Sequence, residues 1–136
     1  MRMIVNYVLV YLATLAAFLA IDLTWLGIVA RGFYRSQLGF LLSPNPNWSA
    51  AILFYLIFVA GLVYFAVLPG ASAGSLGQAL LRGALFGLIA YATYDLTNLA
   101  TVKDWPLAIT VVDMLWGTVL ATAVSYVGFL AARWLL

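Results

Sequence analysis

The stretch Trp48–Leu68, WSAAILFYLIFVAGLVYFAVL, is almost entirely apolar and contains no charged residue. The charge-free region around it is longer, since no Asp, Glu, Lys or Arg occurs from Ser36 to Leu81. About 20 consecutive apolar residues suffice for a helix to cross the hydrocarbon core of a bilayer. The stretch therefore predicts a membrane-spanning helix, and the rest of the chain is interpreted from it.

The overall composition agrees with a membrane location. Hydrophobic residues make up 67% of the chain and charged residues 7%, whereas a soluble domain has about 45–50% and roughly 25%. The net charge of +2 is small and scattered, so we expect the lipid bilayer as a partner and no nucleic acid. The chain has neither Cys nor His, which excludes thiolate and histidine ligands, and we expect no cofactor.

We predict an all-α fold: a single transmembrane domain over residues 1–136, with four helices in an up-down-up-down bundle. The helices are expected at about residues 3–30, 48–68, 76–101 and 105–133. The first run is too long for the apolar region of a signal peptide and lacks a cleavage pattern, so we interpret it as a retained helix.

Local signals mark where these helices begin and end. Pro69-Gly70 is expected to end the second helix, and Ser75 followed by Gln78 is typical of a capping box that starts the third. Asp104 is expected to cap the fourth helix, with Pro106 at an early helical position.

The segment Arg31–Ser43 follows the first helix. Its apolar residues recur at helical spacing with Arg31, Arg35 and Gln37 between them. This pattern predicts a short amphipathic helix along the membrane interface, and an ordinary loop is the alternative.

Small residues recur every four positions on two of the predicted helices. Gly83 and Gly87 lie on the third, and Gly117, Ala121 and Ser125 on the fourth. Such spacing lets helix backbones approach closely. We expect the third and fourth helices to pack against each other there, rather than to form a dimer contact.

Asp22, Asp95 and Asp113 lie inside the predicted spans. An ionisable side chain there costs about 2.5–3.5 kcal/mol on insertion scales, so a functional role is the default hypothesis. Each aspartate is the same number of residues from a turn on one side of the bundle, which places all three ~12 Å from the same membrane face. The sequence therefore predicts one layer of carboxyl groups.

The neighbours of these aspartates extend the candidate site. Trp25, Asn98 and Trp116 each follow an aspartate by three residues and so share its helix face, and Tyr91 extends the face of the third helix. Indole and phenol groups can donate hydrogen bonds to a carboxylate. Three basic residues border the predicted layer: Arg31, Arg35 and Lys103.

Three motifs carry a resemblance to a known family: DLTWLG at residues 22–27, YDLTN at 94–98, and Asp-x-x-Trp-Gly at 113–117. Together with the length and the layout of four helices, they resemble a family of small predicted bacterial membrane proteins known as a domain of unknown function. The resemblance covers essentially the whole chain. It implies a multi-pass protein of the bacterial inner membrane whose aspartates belong to the family pattern, and it implies no activity.

Three functional hypotheses follow, and whether the protein is an enzyme stays open. In the first, the carboxyl layer binds a proton or a small cation in a transporter or channel. In the second, it is the active site of a lipid-modifying enzyme, where carboxyls act as acid and base or hold a divalent cation. In the third, the aspartates only join helices through hydrogen bonds. Asp22, Asp95 and Asp113 are the possible metal ligands, and zinc is disfavoured.

The distribution of basic residues says little about orientation. Arg2, Arg82 and Arg133 lie on one predicted side, against three on the other. We expect the first and third loops to face the cytoplasm, because Arg31 and Arg35 are carried by a loop. Balanced charge also permits an antiparallel homodimer.

Overall fold

The structure, a computed structural model, describes residues 1–136 and contains only helices and their connections. Four helices are long and apolar enough to cross a membrane, and we call them the first to fourth spans: Arg2–Val29, Trp48–Ser72, Leu76–Thr101 and Leu107–Leu135. The prediction of an all-helical protein with four spans is confirmed. Their alternating direction across a bilayer stays a prediction.

Six α-helices and two π-helical turns make up the chain: α1 Arg2–Thr24, a π turn Trp25–Val29, α2 Arg31–Leu38, α3 Trp48–Leu62, a π turn Val63–Val67, α4 Leu68–Ser72, α5 Leu76–Thr101 and α6 Leu107–Leu135. The first span thus consists of α1 and a π turn, and the second of α3, a π turn and α4. The short helix α2 occupies the first half of the segment predicted to be amphipathic. Its location at a membrane interface stays a prediction.

The second span does not end at Pro69, as we had expected, but continues to Ser72. Proline has no N–H and its ring clashes with the carbonyl four residues earlier, which usually breaks an α-helix. Here the π turn Val63–Val67 immediately precedes α4 and changes the hydrogen-bond register. Pro69 is the second residue of α4 and lies in its first turn, where a missing N–H is tolerated.

The turn between the second and third spans closes with two well-defined caps. Gly74 has a positive φ of 63°, and the N–H groups of Gly74 and Ser75 donate to the carbonyls of Ala71 and Gly70, as in a Schellman motif. The Ser75 hydroxyl accepts from the Gln78 N–H at 3.1 Å. The predicted N-cap is confirmed.

The connection before the fourth span differs from the prediction. The N-cap position belongs to Pro106, whose side chain makes no cap hydrogen bond, and α6 begins at Leu107. Asp104 instead adopts a left-handed conformation with φ of 60°. Aspartate tolerates this region better than most residues do, so Asp104 shapes the turn rather than capping the helix.

The third and fourth spans approach closely at the predicted small residues. A Cβ atom added at Gly87 would lie 2.5 Å from the Ala121 methyl group and would also meet the Gly117 carbonyl. At Gly83 it would overlap the Ser125 side chain. The predicted contact between these two helices is therefore present within the chain.

The core of the bundle lies where the first, second and fourth spans meet. Its central cluster includes Phe18, Phe58, Leu62, Leu120 and Val124, all buried. Most other large apolar side chains point outward and are exposed. An exposed apolar surface of this extent is expected of a protein whose solvent is lipid.

The second span divides into two parts that have different neighbours. The π turn Val63–Val67 and α4 pack against α5, whereas α3 packs mainly against α1. Phe58, near the end of α3, still contacts Tyr91 of α5, with ring centroids 6.1 Å apart. Beyond Phe58, toward Trp48, α3 diverges from α5 and leaves a cleft between the second and third spans.

Candidate functional site

Asp22 lies on the buried face of α1. Val10, Thr14, Phe18 and Asp22 follow one another every four residues, and all four are buried. This spacing keeps them on one side of a helix. The Asp22 Oδ1 atom accepts a hydrogen bond from the Trp116 indole N–H at 3.0 Å, so the first and fourth spans are joined at the level of this carboxyl.

Asp113 is bound from outside the four spans. Its Oδ1 atom accepts a hydrogen bond from the Tyr34 hydroxyl at 2.7 Å. The same hydroxyl accepts from the Trp25 indole N–H at 3.2 Å. Tyr34 belongs to α2, and this chain of two hydrogen bonds ties the short helix to the carboxyl layer.

The pKa of Tyr34 is raised above its usual value. Burial of the phenol is the largest cause, and the Asp113 carboxyl it binds acts in the same direction, while the bond from Trp25 opposes them. A raised phenol pKa means that the hydroxyl keeps its proton throughout the neutral range. Tyr34 is therefore a permanent donor to Asp113.

The two tryptophans of the site stack on each other. The Trp25 and Trp116 rings have centroids 4.2 Å apart and an interplanar angle of 7°. The sequence spacing placed each tryptophan on the helix face of the aspartate three residues before it; in the structure, Trp116 binds Asp22 of another helix and Trp25 binds Tyr34. The indole N–H groups bind partners on other helices rather than on their own, because the stacked indoles point across the helix contact.

Asp95 differs from the other two aspartates, because no donor reaches it. Its exposed fraction is 0%, and neither carboxyl oxygen has a hydrogen-bond partner. Its closest charged neighbour is the carboxyl of Asp113. Ionised carboxylates only accept hydrogen bonds, so two of them side by side cannot satisfy each other.

The three carboxyls converge on one region of the bundle. Asp113 is the common member, since it lies close enough to interact with both Asp22 and Asp95. No group of three or more acidic side chains is arranged to hold a metal ion. The convergence thus brings the predicted layer together without forming the three-carboxylate metal site that we had considered.

A cavity of about 320 Å³ opens beside Asp113. Five residues line it: Phe54, Ala90, Tyr91, Tyr94 and Asp113. Phe54 and Tyr94 are 48% and 57% exposed on the outer surface of the bundle. The cavity lies in the cleft where α3 diverges from α5, so it opens sideways between the second and third spans.

The remaining predicted site residues take several positions. The Tyr91 ring packs directly on the backbone of Gly117 and forms a wall of the cavity. Asn98 is half-buried and donates no hydrogen bond to any of the three aspartates. The three basic residues predicted at the rim are exposed: Arg31, Arg35 and Lys103.

Several residues of the site escaped the sequence analysis. Tyr34 was counted only as an apolar position of an amphipathic helix, although its spacing of four from the buried Leu38 placed it on the inner face. Tyr55 lies beside Asp22. Its polar hydroxyl, within a helix that has no charged residue, could have marked it as a candidate site residue. Nothing in the sequence distinguishes Phe54 from the other apolar residues of its helix. Tyr94 could be noticed in the sequence only as the neighbour of Asp95.

Residues 7–130 match the family model described as "Predicted membrane protein (DUF2177)". This match covers most of the chain, and the protein belongs to that family. The resemblance noted in the sequence is thus confirmed. No curated protein and no solved structure matches the chain.

Proposed function

We propose that this membrane protein exchanges a proton for a cation at the carboxyl pair Asp95–Asp113, and so acts as a small transporter. One observation carries the proposal: Asp95 is completely buried, has no hydrogen-bond donor, and lies next to a second carboxyl. In a static structural role such a group would have acquired a donor, as Asp22 has.

The physical argument concerns charge. An ionised carboxylate buried without compensation is strongly unfavourable, and two adjacent ones repel each other as well. A proton shared by the pair, or a cation bound to it, removes both penalties. Since the pair needs either the proton or the cation but not both, binding of the cation displaces the proton. This competition couples transport of the cation to transport of the proton.

The other titratable groups around the pair have supporting roles. Asp22 is held by Trp116, which fixes the position of its carboxyl. Tyr34 donates to one oxygen of Asp113 and leaves the other free for a cation. Tyr91 and Tyr94 stand at the cavity wall, between the carboxyls and the lipid.

Proton movement tests the proposal without knowledge of the natural substrate. Proteoliposomes loaded with the pH dye pyranine receive external sodium, potassium or benzyltrimethylammonium chloride in turn. We expect at least one cation to make the lumen alkaline, because it enters as protons leave. The Asp95→Asn variant should lose this response.

Asp104→Asn is the matched control, because Asp104 is an exposed aspartate in a turn and should keep the wild-type rate. The proposal fails if no cation exceeds the response of protein-free vesicles. It also fails if a folded Asp95→Asn variant exchanges protons at the wild-type rate.

A lipid-modifying enzyme is the second candidate, and the sideways opening of the cavity favours it, since a lipid could reach Asp113 from the bilayer. Here Asp113 would act as acid or base, and the exposed Arg31, Arg35 and Lys103 would attract a phosphate head group. A changed lipid profile in cells lacking the protein, restored by the wild type but not by Asp113→Asn, would support it. An unaltered profile would refute it.

We further propose a location in the bacterial inner membrane, with the first and third loops in the cytoplasm. The family resemblance supports the membrane, and the loop-borne Arg31 and Arg35 support the orientation. An antiparallel homodimer stays a prediction, and the measured orientation of both chain termini would test it.

A further inference from the structure

We infer that the cation taken by this site is an amphipathic organic ammonium ion that enters sideways from the lipid through the cleft between the second and third spans. The inference rests on the proposed proton–cation exchange and names its substrate class. It is drawn from the cavity beside Asp113, the aromatic rings that form its walls, and the buried, unpartnered carboxyl of Asp95 behind it.

The walls of the cavity suit an organic cation. Phe54, Tyr91 and Tyr94 supply aromatic rings, and Asp113 is the only charged residue of the lining. The faces of aromatic rings attract cations, and quaternary ammonium groups are recognised in this way. A carboxylate at one side of an aromatic enclosure complements a ligand that has one positive charge and an apolar body.

The same walls do not suit an inorganic cation. Hard cations such as Ca²⁺ bind six to eight oxygen atoms, and Mg²⁺ keeps several waters in its shell. The lining offers one carboxylate and two phenol groups amid apolar surface, and no acidic group of three or more could hold a metal ion. A cavity of about 320 Å³ also greatly exceeds the size of a bare ion.

The entrance to the cavity faces the bilayer. Phe54 and Tyr94 are both exposed on the outer surface, which is otherwise covered with large apolar side chains. Tyr34 occupies one oxygen of the Asp113 carboxyl and in turn accepts a hydrogen bond from Trp25, and neither residue lines the cavity. Asp113 is therefore reached through the aromatic cavity, and a ligand dissolved in lipid is the one best placed to enter.

The unpartnered carboxyl of Asp95 strengthens the binding of the cation. Neither of its oxygens has a donor, and it adjoins Asp113, which lines the cavity. A single positive charge at Asp113 would be attracted by both carboxyls. This second carboxyl is what distinguishes the cavity from an ordinary lipid-filled groove.

The test compares a cation with its neutral isostere. Benzyltrimethylammonium and neopentylbenzene have the same shape and differ only in charge, and both are titrated into the full chain in lipid nanodiscs, with potassium chloride as a third ligand. We expect the cation to bind at least tenfold more tightly than either of the others. Equal binding of the two isosteres would overturn the inference.

Variants of the cavity wall show where the cation binds. Tyr94→Leu should weaken benzyltrimethylammonium binding roughly tenfold, and Tyr126→Leu, which removes an exposed tyrosine of α6, should leave it unchanged. Asp113→Asn should abolish the preference for the cation over its isostere. If Tyr94→Leu and Tyr126→Leu bind alike, the cation does not occupy this cavity and the inference fails, even where Asp113→Asn does not fold.

This inference and the proposed function can fail separately. If potassium drives proton exchange in proteoliposomes while benzyltrimethylammonium neither binds nor drives it, the substrate class is wrong and the exchange stands. If benzyltrimethylammonium binds with the expected variant pattern but no cation moves protons, the binding site stands and transport is refuted.

Discussion

The two ends of the bundle are packed with side chains of very different size. Toward the turn between the second and third spans, Gly83, Gly87 and Ser125 bring two helix backbones together, and Thr14 and Val67 contact the backbone at Gly128. Toward the opposite end, stacked indoles, phenols and three carboxyls fill the space between helices. The first arrangement brings the backbones of the third and fourth spans into contact, whereas the second leaves a cavity beside Asp113.

This difference indicates how one small bundle can combine stability with an unsatisfied polar group. Close backbone contact between the third and fourth spans fixes their relative position, because interhelical van der Waals contact is the main source of association in lipid. At the other end, aromatic rings of the second and third spans line the cavity between them. The carboxyl of Asp95, which has no hydrogen-bond partner, is thus tolerated because contacts elsewhere in the bundle stabilise the fold.

The largest expected effect comes from filling the tight end. In Gly87→Leu the new side chain would meet the Gly117 carbonyl and the Ala121 methyl group, so the helices must separate. We expect the variant to lose about 3 kcal/mol of unfolding free energy, the upper end of the usual cost of overpacking, measured by denaturation in detergent micelles.

Gly27→Leu is the matched control for Gly87→Leu, because a Cβ at Gly27 meets nothing within 4 Å. Its effect should stay within about 0.5 kcal/mol. Similar losses in the two variants would show that glycine itself, rather than close helix contact, determines the stability of this end.

The comparison also shows which parts of the molecule could be predicted from the sequence. Hydropathy and the spacing of small residues are local patterns, and they were sufficient for the four spans and for the contact at Gly83 and Gly87. The continuation of the second span past Pro69 was not predictable, because it depends on a π turn that no residue type in the sequence indicates. The hydrogen bond from Tyr34 to Asp113 joins residues far apart in the chain, and only the folded bundle reveals it.

The candidate site was predictable in part for the same reason. Equal distances from the turns placed the three aspartates at one depth, and the structure brings them together. Which donor binds which carboxyl depends on how the helices are rotated about their axes, and sequence spacing does not determine that rotation. The spacing placed Trp116 on the face of Asp113, whereas the carboxyl that it binds, Asp22, lies on another helix.

An intermediate effect should separate the two kinds of aspartate at the site. Asp95→Leu replaces a buried carboxyl that has no donor, so we expect it to gain about 1–3 kcal/mol of stability. Asp22→Leu leaves the Trp116 N–H without its acceptor, so we expect a loss of about 1–3 kcal/mol. Denaturation of both variants under one set of conditions measures the two effects.

The opposite signs are the decisive result of that experiment. If both substitutions destabilise the protein equally, Asp95 has a partner in the folded state and the two aspartates share one structural role. Asp104→Asn in the exposed turn serves as the control for loss of a carboxylate charge, because asparagine tolerates the left-handed conformation of this residue, and its expected change is within about 0.5 kcal/mol.

The smallest expected effect concerns the stacked indoles, which join the first and fourth spans near the carboxyls. Trp25 and Trp116 lie face to face, and a stacked aromatic pair contributes about 0.5–1.5 kcal/mol beyond the area it buries. Because each tryptophan also donates a hydrogen bond, single substitutions mix several losses. A double-mutant cycle with Trp25→Leu and Trp116→Leu isolates the coupling between the rings, which we expect to fall in that range.

A cycle between Trp25 and Trp134 provides the baseline, because Trp134 is 90% exposed near the end of the fourth span and should show no coupling. If the Trp25–Trp116 coupling is equally small, the stack does not contribute to helix spacing. A measurable coupling instead shows that the stacked pair, like the glycine contacts at the other end, stabilises the packing of two spans.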